Sequence, residues 1–174
     1  MDANWSPDGN SLVFGTLREL RVSNALPIYT IDLRSKRVST LPGSSGLFSP
    51  RWSPDGRYVA AITTDRPFKL MLFDSATQKW TEAFGSPMTY PSWSHDGKYI
   101  YFQGWHDPVK HIGERIVRLR LSDRKIENIV DVKNVGRPTT GTIVDWCGLA
   151  PDDSPLLARD ISTSEIFALD VDWP

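Results

Sequence analysis

Trp52-Ser53-Pro54-Asp55-Gly56, followed directly by Arg57-Tyr58-Val59-Ala60, is the stretch that decides the fold. Ser-Pro-Asp-Gly has the composition of a type I β-turn. Ser suits the first position, Pro presets φ at the second, and Gly tolerates a positive φ at the end. The Asp carboxylate lies within reach of the backbone N–H groups that the turn leaves unpaired. The run after the turn is aromatic and β-branched and reads as a strand. The Trp before it is a large apolar anchor suited to the gap between two packed sheets.

The unit recurs. Trp5-Ser6-Pro7-Asp8-Gly9 precedes Ser11-Leu12-Val13-Phe14, and Trp93-Ser94-His95-Asp96-Gly97 precedes Lys98-Tyr99-Ile100-Tyr101-Phe102. Leu149-Ala150-Pro151-Asp152-Asp153, before Pro155-Leu156-Leu157, is a worn fourth copy. The copies begin 47, 41 and 56 residues apart. A period of about 40–50 residues built of short strands is the mark of a propeller blade. The expected fold is therefore all-β: a β-propeller of about four four-stranded blades, at roughly 1–41, 47–84, 88–130 and 142–174, in an incomplete or open ring. Innermost strands are expected up to Trp5 and at 47–52, 89–93 and 142–146. Second strands are expected at 11–16, 58–63, 99–104 and 156–159. Third strands fall at 28–33, 69–74, 115–121 and 166–171, and outer strands at 38–41, 80–84 and 126–130. The fourth blade has no outer strand in this reading. Open blade faces are expected at Leu12, Phe14 and Ile28 at one end and at Leu157, Ile166 and Phe167 at the other. Such apolar faces favour self-association or continuation into further blades.

The copies of Trp-Ser-Pro-Asp-Gly, together with the strand Ile28-Tyr29-Thr30-Ile31-Asp32-Leu33, resemble the TolB-type propeller repeat. That resemblance covers nearly the whole chain. It implies a WD-repeat-like propeller that is the C-terminal part of a bacterial multidomain protein, as in winged-helix regulators or serine/threonine kinases, and it favours an extracytoplasmic setting. The sequence departs from the repeat at His95, which stands in place of Pro, and in the fourth copy, which lacks Trp and Gly in register.

The motif residues Trp5, Pro7, Asp8, Gly9, Trp52, Pro54, Asp55, Gly56, Trp93, Asp96, Gly97, Pro151 and Asp152 read as structural. A calcium site needs several oxygen ligands, and each turn offers one carboxylate. Trp52 and Trp93 are expected to be buried between blades. Pro42-Gly43-Ser44-Ser45-Gly46 lacks the spacing of a nucleophile elbow. His95, His106 and His111 read as solvated loop residues rather than metal ligands, Cys147 as a small buried side chain, and Asp152-Asp153 as turn residues. No enzyme activity, cofactor or metal is expected.

The 20 basic and 21 acidic residues of the 174-residue chain are interspersed. That argues against nucleic-acid binding, which calls for a clustered basic surface. No apolar stretch approaches a membrane span, and Met1-Asp2-Ala3-Asn4-Trp5 does not read as a signal peptide. Recognition is expected on loops carried by a rigid scaffold. The varied loops at 17–24, 42–46, 65–67, 105–113 and 136–141 share one face in the expected propeller. Arg18, Arg66, Trp105, His106, His111 and Arg137 are the candidate contacts there for a protein partner or small ligand, since aromatics and Arg dominate binding hot spots. The favoured role is a non-enzymatic interaction or sensing module. The alternatives are a TolB-like extracytoplasmic scaffold and the accessory propeller of a prolyl-oligopeptidase-type hydrolase.

Overall fold

The computed structural model describes residues 2–15, 27–65, 67–85, 89–107, 112–132, 135, 147–159 and 161. Among these, three four-stranded antiparallel sheets and a two-stranded one follow each other along the chain, with no helix. The first blade is β1 (Asp2–Trp5), β2 (Ser11–Gly15), β3 (Tyr29–Asp32) and β4 (Val38–Thr40). The second is β5 (Leu47–Trp52), β6 (Tyr58–Thr63), β7 (Lys69–Asp74) and β8 (Lys79–Gly85). The third is β9 (Thr89–Trp93), β10 (Tyr99–Asp107), β11 (Ile112–Arg120) and β12 (Ile126–Asp131). The described part of the fourth is β13 (Cys147–Leu149) paired with β14 (Pro155–Leu157). Each sheet is a meander. The blades meet along their first strands, with β1 against β5, β5 against β9 and β9 against β13. These strands therefore line the inside of an open arc.

Alternation along each strand feeds both faces of a blade, so every inner blade is apolar on both sides. Val13 and Ile28 of the first blade pack on Val59, Ala61 and Phe73 of the second, with Trp80 at the edge. Ala60, Ile62, Leu70 and Leu72 of the second pack on Ile100, Phe102, Val117 and Leu119 of the third. Tyr101, Ile116 and Val132 carry the contact onward to Leu149 and Leu157 of the fourth. Ile28 is fully buried toward the second blade, and Leu157 packs against the third, which corrects their expected places on open faces; Ile166 and Phe167 lie outside the described residues. The register explains the difference. Ladder partners share a face, so Trp5, Leu12, Ile31 and Val38 form one row and Phe14 and Tyr29 the next. That face has no neighbouring blade among the described residues. Phe14 stacks on Tyr29 at 5.6 Å, while Trp5 and Val38 are 60% and 54% exposed.

Two other expectations need correction. Trp105 and His106 do not lie on a loop. The β10–β11 ladder continues past Gly104, with Trp105 opposite Glu114 and Asp107 opposite Ile112. In the fourth blade the first strand comes at Cys147–Leu149, directly before the turn, and 142–146 and 166–171 lie outside the described residues.

Candidate functional site

The site is built from the repeated turn. In the first blade Gly9 N–H donates to Ser6 O at 2.9 Å, closing the turn, and Gly9 takes φ 70°. The Ser6 hydroxyl donates to Asp8 Oδ1 at 2.6 Å and accepts from Ser11 N at 2.8 Å, while Asn10 N donates to the same carboxylate at 3.1 Å. Ser53, Asp55 and Arg57 repeat this arrangement, as do Ser94, Asp96 and Lys98. The fourth copy keeps the turn despite its sequence. Asp153 N donates to Ala150 O, Ser154 N donates to Asp152 Oδ1, and Asp153 itself adopts the left-handed φ of 63°.

These bonds favour the ionised carboxylates. The Ser6 hydroxyl and the Asn10 N–H lower the Asp8 pKa to about 2, and the Lys98 N–H with the Ser94 hydroxyl brings Asp96 to about 2. The Ser53 hydroxyl lowers Asp55 in the same sense. A carboxylate with a lowered folded-state pKa contributes stability that is complete above its unfolded pKa near 3.8 and is lost as pH falls through the folded value. The expected outcome is a denaturation midpoint that is flat above about pH 5 and declines between about pH 4 and 2. Asp96→Asn should shrink that decline, as urea melts at stepped pH will show.

Just before each of the first three turns the first strand delivers a Trp to the concave side of the arc, and before the fourth it delivers Leu149. A cleft of about 590 Å³ opens there, reached by all four blades. Asn4 and Trp5, Arg51 and Trp52, Ser92 and Trp93, and Gly148 and Leu149 supply the strand ends, with His95 on the rim. Trp52 and Trp93 are half-buried, not buried as expected. Their rings divide between the core and the cleft, and Trp93 Nε1 donates to Arg51 O of the preceding blade at 3.0 Å. Polar pairs tie the cleft wall together. Arg51 Nη1 meets Asp2 Oδ1 at 2.9 Å, Ser49 Oγ donates to Asp2 Oδ2 at 2.7 Å, and Trp52 N donates to Asn4 Oδ1 at 2.8 Å. The wall thus presents indole faces beside a half-buried ion pair, a surface suited to a partly apolar ligand with polar groups.

Asp2, Asn4, Arg51, Ser92 and His95 are cleft residues that sequence reasoning did not single out as contacts. The available signal was a polar residue immediately before each intact motif Trp: Asn4, Arg51 and Ser92. Of the six expected loop contacts, Arg18, Arg66, His111 and Arg137 lie outside the described residues, and Trp105 and His106 stand on β10. The serine of the elbow-like stretch is occupied structurally. Ser44 is buried, and its hydroxyl donates to Leu41 O at 2.6 Å and accepts from Ile28 N at 2.9 Å. Among the described residues no group of three His, Cys, Asp or Glu side chains is placed to hold a metal ion, and no helix is long and apolar enough to cross a membrane.

Successive four-stranded meanders packed face to face around a concave inner edge define a β-propeller, here an open arc. Solved β-propeller structures, TolB among them, share this fold. TolB from Acinetobacter baumannii superposes with a TM-score of 0.63 at 18% identity, over 90% of this chain and 42% of that one. The β-propeller domain of the Trilobed protease from Pyrococcus furiosus, with its open velcro topology, superposes with a TM-score of 0.61 at 11% identity, over 95% of this chain and 50% of that one. An oligogalacturonate lyase in complex with manganese gives 0.56 at 19%, over 79% and 41%. The chain thus spans half or less of each of these proteins. No protein-family model matches the chain, and no curated protein does.

Proposed function

We propose that this propeller is a non-enzymatic binding module that holds a protein segment or small ligand across its concave cleft, within a larger bacterial signalling or regulatory protein. The observation that carries this is the convergence of four blades on one cleft, with Trp52 and Trp93 half-buried in its wall. Indoles beside a fixed Arg51–Asp2 pair have the composition of a binding hot spot. The structural use of the turn aspartates and of Ser44 supports a module without chemistry of its own. The alternatives, a free-standing extracytoplasmic scaffold and a hydrolase's accessory propeller, differ in what surrounds the module rather than in the cleft.

The test uses a photo-crosslinking residue at position 5 and, separately, at Ser39 on the outer strand β4. In extract of the source organism, position 5 is expected to give a discrete crosslinked product, and Ser39 none. Arg51→Ala should weaken the product from position 5. Equal labelling from both positions, or turnover of a glycan or peptide substrate by the purified chain, would overturn the reading.

A further inference from the structure

The two departures from the repeat meet in space. At the first junction a Cβ built on Gly56 would lie 3.8 Å from Pro7 Cδ, and at the second a Cβ on Gly97 would lie 3.7 Å from Pro54 Cδ. The second residue of each turn thus packs against the fourth residue of the next blade's turn. Gly9, whose turn has no preceding blade among the described residues, faces open space. At the third junction the same two positions are His95 and Asp153. Asp153 Oδ1 accepts from His95 N at 2.9 Å and lies 2.7 Å from His95 Nδ1. Proline has no N–H to give and glycine no carboxylate to receive it, so neither bond exists at the other two junctions.

We propose that His95 and Asp153 are a matched pair that docks the fourth blade onto the third and sets that side of the cleft. His95 lines the cleft, and so do Gly148 and Leu149, which precede the Asp153 turn. A contact that changes the seating of that turn therefore changes the cleft. Asp96, on the same turn as His95, is paired with Lys98 at 3.0 Å, and across the cleft Arg51 is paired with Asp2. Asp153 takes its partner from His95, through both the backbone N–H and the ring.

This role is separate from whatever the cleft binds, and it is tested without a ligand. Hydrogen-exchange protection of the β13 and β14 amides is measured for the wild type, Asp153→Gly, His95→Pro and the double variant His95→Pro/Asp153→Gly. Each single variant should lose protection about two- to fivefold, the scale of an exposed polar pair. The double variant, which recreates the Pro–Gly contact of the other junctions, should recover protection. Single variants as protected as the wild type, or a double variant showing merely the sum of the two losses, overturn the proposal.

Discussion

Phe102→Ala will cost the fold about 3–5 kcal/mol, the range for a large buried aromatic. Phe102 is 2% exposed and lies where the third blade meets the second, its ring 5.6 Å from that of Phe84. Blades are joined through such faces rather than by backbone pairing, because the backbone ladder of each described sheet stays within its own strands. Removing the ring leaves a void that the flat faces of β6 and β10 cannot both close. Trp5→Ala deletes a larger side chain but should cost under about 1 kcal/mol, since the indole is mostly in water already. Urea denaturation of the two variants decides it: equal losses would mean that the motif Trp, and not the blade face, carries the packing.

Ser53→Ala will cost about 1–3 kcal/mol although it removes one oxygen atom. The Ser53 hydroxyl is buried, accepts from Tyr58 N at 2.8 Å and donates to the Asp55 carboxylate. Alanine strands the Tyr58 N–H where a β-hairpin begins and leaves Asp55 without its first partner. Ser53→Thr, which keeps the hydroxyl, should recover part of the loss. A Ser53→Ala protein as stable as the wild type would show that water replaces the hydroxyl, and that the Ser of the motif is not required for the turn.

The repeat makes much of this architecture legible in advance. β5, β6, β7 and β9 fall where the apolar, β-rich runs and the turn chemistry place them, because both signals are local. The β10–β11 hairpin is longer than expected because Gln103-Gly104-Trp105-His106-Asp107-Pro108 carries Gly, Pro and polar residues, the vocabulary of a loop, while its ladder is held by the partner strand. The cleft is less legible still. Which way the Trp of each first strand turns depends on the curvature of the whole arc, and no single copy of the motif encodes that. His95 and Asp153 each look like decay of the repeat when read alone. Only the abutment of neighbouring turns shows that one departure answers the other.

That abutment gives the arc a polarity. Each turn offers its second residue to the turn that follows and receives on its fourth residue the turn that precedes, so the two ends of the array are chemically unlike. The first blade's end is a receiving end: among the described residues nothing lies against Gly9, and beside it stands the row of Trp5, Leu12, Ile31 and Val38 that in the next blade, as Trp52, Val59, Phe73 and Trp80, is covered. Growth of this structure, within one chain or between copies, is therefore directional in the way that a polymer with distinct ends is. A neighbour that reproduces the existing junctions must arrive head to tail.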